Sequence, residues 1–332
     1  MPRPLVEQVV VLTGASSGIG RATAHLFAWN GASMVLAARD RQGLEAAARE
    51  VAELGGRAVV VPTDVSEAAQ VQHLANEAIA AFGRIDTWVN GASVSVYGLV
   101  SDVTIEDLRR VIEVNLLGTI YGAKIALPYL KETQGTLINI SSVLGKMAVP
   151  LQAPYTAAKH GVIGFTDALR LELDHEKTGV TATTILPSSI NTPFFSHARS
   201  YLPVEPQPIP PVYPPELVAE AIVWAAAHPT REIVVGGAGK GMVQLAKLSP
   251  ALVEKGMSFA DAGVKLQESN RPNDDSDNLF APAPGLNRVH GDFGSMTLPY
   301  LGNGHGIGKQ LLGLAAVVGV VAVMRQAGRG MR

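Results

Sequence analysis

An α/β fold, a doubly wound parallel sheet of about seven strands with helices on both faces, is predicted by three observations. Short apolar runs alternate with helix-period patterns through about residue 240. The apolar runs are continuous, as in strands buried on both faces. A glycine-rich turn, Thr13-Gly14-Ala15-Ser16-Ser17-Gly18-Ile19-Gly20, closes the first run and opens the first helical pattern. Right-handed crossovers then cover both sides of the sheet.

Residues 8–12 read as the first strand and 18–30 as the first helix. Strand–helix pairs follow over 33–38 and 42–54, then over 58–61 and 67–82. A fourth strand over 86–90 leads to a long helix from about 105 to 131. Strands over 136–140 and 180–186 flank a helix over 155–175, and a helix over 215–228 precedes a last strand over 232–235. Residues 203–215 hold seven prolines. That excludes a regular helix and predicts an extended surface segment, suited to a semi-rigid lid.

The main domain is expected over residues 1–256, with a C-terminal extension over 257–332. Asp, Asn, Pro and Gly make 270–306 read as loop or disorder. An apolar helix is expected over about 307–325. Its uncharged run of fourteen residues, 311–324, would extend about 21 Å as a helix, short of the ~30 Å hydrocarbon core of a bilayer. Three readings stay open for it. They are a helix buried in the fold or an oligomer interface, a membrane anchor or interfacial segment, and a partner-binding or disordered tail.

Composition narrows the function classes. The formal charge of the 332 residues is −2, so no basic field points to nucleic acid. Without cysteine there is no disulfide framework, thiolate metal site or cysteine nucleophile. The eight histidines are scattered, and no metal site is expected. The N-terminus lacks the pattern of a secretory signal, so a cytoplasmic location is expected, with membrane association if 307–325 is an anchor.

The glycine turn has the context of a dinucleotide site. Gly14 permits the tight turn, Gly18 lets backbone approach a pyrophosphate, and Gly20 permits close helix–strand packing. Ser16, Ser17 and Ile19 belong to the same cradle. At the end of the second strand, where an acid would bond a free ribose 2′-hydroxyl, stand Ala38 and then Arg39. A guanidinium there suits a 2′-phosphate, so NADP is expected over NAD, although Asp40 could partly neutralise it. Asp64, with Val65 beside it, is placed to meet the adenine amino group. It could also cap the next helix, a role Ser66 fills as plausibly. Asn90, Gly91 and Ala92 follow the fourth strand and bring backbone towards the cofactor.

Tyr155 and Lys159 lie one helical turn apart on one face. Ser142 stands thirteen residues before Tyr155, and Asn115 further back. An ammonium beside a phenol favours the phenolate, which makes the pair a candidate for proton transfer. Together with the Thr-Gly-x-x-x-Gly-x-Gly loop, these residues resemble the short-chain dehydrogenase/reductase family, in its one-domain branch, over roughly residues 5–245. The resemblance implies a Rossmann-type domain and a tetrad of Asn115, Ser142, Tyr155 and Lys159. Tyr155 would be the acid in carbonyl reduction and the base in alcohol oxidation. Lys159 would also bond the nicotinamide ribose. Ser142 would hold and polarise the substrate carbonyl, and Asn115 would hold a water linking Lys159 to solvent. Pro187, Ile190 and Thr192 would lie at the nicotinamide end. The long helices over 105–131 and 155–175 would pair subunits into a homodimer or homotetramer.

Two motifs depart from the family. Its Asn-Asn-Ala-Gly is Asn90-Gly91-Ala92-Ser93 here, which removes a steadying side-chain bond and predicts local loosening. Its Pro-Gly is Pro187-Ser188, which predicts a differently shaped loop. The loops at the strand ends offer Val94, Val96, Tyr97, Leu144, Met147, Val149, Leu151, Phe194 and Phe195. They predict a mainly apolar pocket for a small lipophilic ketone, aldehyde or secondary alcohol. The alternative from another class is a non-catalytic NADP-binding redox sensor acting through a partner, which predicts a broken tetrad.

Overall fold

The computed structural model describes residues 2–283, 285 and 287–300. Seven strands form one parallel sheet: β1 (Val9–Thr13), β2 (Ser33–Ala38), β3 (Arg57–Pro62), β4 (Thr87–Asn90), β5 (Thr136–Ile140), β6 (Thr181–Pro187) and β7 (Glu232–Val235). Their order is β7-β6-β5-β4-β1-β2-β3. The chain moves outward from β1 to β3, returns to the other side of β1, and moves outward again. The doubly wound Rossmann expectation holds, and the reversal point lies between the carboxyl ends of β1 and β4.

Alternate side chains of each strand feed opposite layers. Val10 and Leu12 join Met34, Leu36 and Val89 under α1 (Gly18–Trp29), α2 (Arg41–Glu53) and α7 (Pro215–Ala227), against Phe27, Leu44 and Ile222. Val11 joins Val35, Trp88 and Leu137 on the other face. There they meet α3 (Ala68–Phe82), α5 (Gly118–Thr133) and α6 (Ala153–His175) through Leu74, Leu130 and Leu169. Asp40 caps α2 by accepting from the amides of Gln42 and Gly43 at 2.9 and 3.2 Å, and Gly83 ends α3 at φ 76°.

The helix predicted over 105–131 is continuous but not uniform. α4 (Ile105–Ile112) runs through a π turn over Glu113–Leu117 into α5. Asn115 sits in that turn, a local widening that propensity does not announce. By length and composition Ile105–Thr133 is apolar enough to cross a membrane, yet Ala123, Ala126 and Leu130 bury it against the sheet.

A chain of buried side chains crosses this half of the sheet. The Trp88 indole donates to Asn90 Oδ1 at 2.8 Å, and Asn90 Nδ2 donates to Asn139 Oδ1 at 2.8 Å. Asn139 Nδ2 then donates to Thr166 Oγ1 on α6 at 2.9 Å.

Beyond β7 the chain forms α8 (Gly237–Leu248), α9 (Pro250–Ser258) and the short α10 (Ala262–Lys265). The proline-rich segment runs extended, as predicted, and its Val204–Pro206 pairs antiparallel with Glu268–Pro272. Residues 273–283 and 287–293 carry no regular helix or strand but lie over the carboxyl end of the sheet. There Leu279 is fully buried and Phe293 is 4% exposed. The apolar helix expected over 307–325 lies outside the described residues.

Candidate functional site

A cavity of about 740 Å³ opens at the reversal point and runs from the glycine turn to the N-terminal part of α6. Gly14, Ser16, Ser17, Gly18, Ile19 and Gly20 line one end. Close backbone packing explains two of these glycines. A Cβ on Gly14, whose φ is 75°, would meet Gly91 O at 2.8 Å, and one on Gly20 would meet Gly14 O at 2.1 Å. The amides of Gly91 and Ala92 are held by Thr13 Oγ1, which accepts from them at 3.0 and 3.3 Å. The two strand ends therefore touch without the side chain that Gly91 lacks. Gly20→Ala is expected to cost about 1–3 kcal/mol through this clash, read as a lower urea midpoint. An unchanged midpoint would contradict the packing described.

The remaining wall follows the strand ends. Arg39, Asp64, Val65, Ala92, Ser142, Tyr155, Lys159, Pro187, Ile190 and Thr192 all line the cavity. Asp64 is committed to protein partners: it accepts from Ser66 Oγ at 2.7 Å and from Arg110 Nη2 at 2.5 Å. Burial pushes its carboxyl up, but these donors hold it below the usual carboxylate range. Asp40 Oδ2 accepts from Asn287 Nδ2 at 2.6 Å while its other oxygen caps α2. It is engaged there rather than neutralising Arg39. Ser188 donates to Val235 O at 2.9 Å, tying the loop after β6 to β7.

Tyr155, Lys159 and Ser142 meet at the far end. Tyr155 and Lys159 project from one face of α6, with the ammonium nitrogen 5.4 Å from the phenol ring centre. Lys159 Nζ donates to Ile140 O at 2.9 Å, which fixes it to the end of β5. Ser142 begins the turn after β5, where its Oγ accepts from the Leu144 amide at 3.1 Å. Burial pushes the Tyr155 phenol up to about 12, with hydrogen bonding to Ser142 pulling against it. Burial also draws the Lys159 ammonium down to about 7. Desolvation is the largest cause of both shifts.

Two expected site residues are not brought to the cavity. Asn115 is fully buried, and its side chain clamps Val94, donating to Val94 O at 2.8 Å and accepting from Val94 N at 2.9 Å. The amide expected to hold a water is thus engaged in bracing the loop after β4. Asn90 belongs to the buried chain described above and also donates to Thr119 O at 3.2 Å. Its role is to join β4 to β5 and α5.

The apolar end contains Tyr97, Leu144, Met147, Val149, Phe194 and Phe195 from the predicted set, whereas Val94, Val96 and Leu151 pack behind it. Tyr97 is fully buried, and among the described residues its hydroxyl has no partner at the cavity wall. Met242 of α8 and Met257 of α9 complete this end. They follow the last strand of the alternating pattern, so sequence periodicity carried no signal for them. Nor did it indicate that Asn278, Pro282, Ala283 and Asn287 line the opposite end.

A sequence model of the short chain dehydrogenase family matches residues 8–202. The chain is 41% identical over 256 residues to the uncharacterized oxidoreductase YxnA of Bacillus subtilis (strain 168), covering 76% of this chain and 72% of that protein. It is 36% identical over 234 residues to the 3-oxoacyl-(acyl-carrier-protein) reductase of Synechocystis sp., covering 70% and 94%. Among solved structures, an alcohol dehydrogenase of the archaeon Thermococcus sibiricus complexed with 5-hydroxy-NADP matches with a TM-score of 0.61 and 26% identity, over 69% of this chain and 95% of that one. A short chain dehydrogenase/reductase of Burkholderia phymatum in complex with NAD matches with a TM-score of 0.66 and 26% identity, over 74% and 95%.

Proposed function

Because this chain belongs to the short-chain dehydrogenase/reductase family, we propose that it is an oxidoreductase reducing the carbonyl of a small lipophilic substrate with NADPH, or running the reverse alcohol oxidation. The observation that carries this reading is one cavity holding a glycine cradle at one end and the Ser142–Tyr155–Lys159 cluster at the other. The residues fit a dinucleotide: the glycine turn opens α1, whose N-terminal amides suit a pyrophosphate, and Arg39, Ser141 and Ser142 put polar groups along the strand ends. A bound nicotinamide would supply or accept the hydride. Ser142 polarises the carbonyl, and the Tyr155 hydroxyl protonates the developing alkoxide. In oxidation the Tyr155 phenolate takes the proton back. Lys159, beside the ring, stabilises the charge left on the phenol oxygen. A lipophilic substrate is supported by Met147, Phe194 and Met242 at the reacting end.

Preference for NADP rests on Arg39 and on the engagement of Asp40 in its helix cap. Wild type is expected to oxidise NADPH faster than NADH across a carbonyl panel. Arg39→Asp should lower that preference roughly 10- to 100-fold, the worth of one charge-assisted bond. Equal or better use of NADH by wild type would overturn this part. A homodimer or homotetramer paired through the helices over 105–131 and 155–175 is proposed from the resemblance, with Leu171, 72% exposed on α6, as an apolar contact. Sedimentation of Leu171→Glu against wild type tests it. We place the catalytic unit at residues 1–256, with 257–332 as its extension.

A further inference from the structure

Residues 277–283 and 287–298 cross the adenosine end of the cavity as a strap, and both of its ends are anchored. At the first, Asp277 Oδ2 accepts from Arg199 Nε at 2.9 Å, and Leu279 lies fully buried with its carbonyl accepting from Arg110 Nε at 3.1 Å. At the second, the Phe293 amide donates to Asn191 Oδ1 at 3.2 Å and the Leu298 amide to Val212 O at 2.9 Å. Between these anchors Pro282, Ala283 and Asn287 form part of the cavity wall.

The strap also occupies donors that the glycine turn and β2 present to the cavity. The Gly18 amide, first in α1, donates to Arg288 O at 2.9 Å. The Arg39 guanidinium donates to Leu279 O at 3.1 Å and to Asn278 O. Arg21, in the first turn of α1, donates to Asn287 O. These acceptors are neutral main-chain carbonyls facing an amide at a helix N-terminus and a guanidinium, both of which favour an anion more strongly. The strap has the hydrogen-bonding character of a stand-in for phosphate oxygens.

We propose that this strap, residues 277–283 and 287–298, is an intramolecular competitor for the dinucleotide site. The strap closes over the cradle through Gly18 and Arg39, and must lift before a dinucleotide can reach both. The proposal rests on the dinucleotide reading above and adds that binding is gated. Phe293 couples the gate to the reaction end. Its ring lies 5.5 Å from Phe195, which lies 5.6 Å from Phe194, itself edge-on to Tyr155 at 5.6 Å. Lifting the strap removes one end of this aromatic row, so binding at one end of the cavity alters packing at the other.

The absence of native cysteine permits a clean test. A Cβ built on Gly43 falls 2.6 Å from Asn287 Cγ, so the full-length double variant Gly43→Cys/Asn287→Cys should form a disulfide that ties the strap to α2. NADPH fluorescence in stopped flow is the readout. The oxidised variant is expected to associate with NADPH at least tenfold more slowly than the same protein after reduction. Saturating NADPH should likewise slow disulfide formation at least tenfold, followed by thiol titration. Gly291→Val is the opposing variant: a Cβ there meets Thr192 O at 2.4 Å, which should prise up the second anchor and speed association. Equal association rates for oxidised and reduced protein, with disulfide formation indifferent to NADPH, would overturn the proposal while leaving the dinucleotide reading intact. No binding of NADPH or NADH by wild type and reduced variant alike would overturn both.

Discussion

Tyr155→Phe is expected to lower turnover roughly 10²- to 10⁴-fold, the usual worth of a positioned acid or base, while NADPH binding and thermal stability stay close to wild type. The ring is retained against Phe194, and only the hydroxyl facing Ser142 is lost. Steady-state kinetics beside NADPH titration separates the two effects, and turnover unchanged in the variant would refute the mechanism. Direction matters as well. With its phenol raised to about 12 by burial, Tyr155 is protonated across the ordinary assay range, which serves reduction. Oxidation needs the phenolate, whose share grows tenfold per pH unit below that value. Alcohol oxidation is therefore expected to gain steeply with pH, and carbonyl reduction is not.

Lys159→Met is expected to separate stability from activity. The Lys159 ammonium is drawn down to about 7 in the folded protein by burial, against ~10.4 for an unfolded lysine. Between those values the unfolded chain holds a proton that the native state lacks, so this group lets native stability rise with pH across that window. Below pH 7 the full penalty applies, on the order of 4 kcal/mol; above about 10.4 it vanishes. Urea midpoints of wild type and variant should thus differ most at neutral pH, in favour of the variant, and converge towards pH 10. The lost bond to Ile140 O offsets part of the gain. Below pH 7, where Lys159 is charged, turnover in carbonyl reduction should fall roughly 100-fold or more, because no cation then stands beside the phenol. Parallel stability curves would refute the buried-ammonium account.

The parallel sheet was legible because the strands are mainly apolar runs, five of the seven closed by glycine, asparagine or proline, and β7 falls at residues 232–235 as predicted. The cradle and the Ser142–Tyr155–Lys159 cluster were legible because short-range spacing sets which helical face and which strand end carries a residue. Asn115 and Asn90 were not, since an amide's partner is settled by tertiary placement: nothing near Asn115 in sequence announces Val94, twenty-one residues away. The strap was least legible. Its bonds are made by main-chain carbonyls, which every residue possesses, so a polar, proline-containing stretch read as loop could also be a ligand-like wall.

The buried row from Trp88 through Asn90 and Asn139 to Thr166 bears on how the chain avoids near-miss structures. Burial of greasy strands scarcely distinguishes the native alignment of β5 beside β4 from one slipped by two residues, because Val, Ile and Leu are almost interchangeable there. The amides do distinguish them. A slip would strand two buried carboxamides, at about 1–3 kcal/mol each, and carry α6 along by roughly 6–7 Å, two strand residues. Ser142, Tyr155 and Lys159 would then shift together away from the glycine turn after β1. These four side chains act as an alignment key: they do not touch the reaction, but they exclude the misthreaded sheets in which it could not occur.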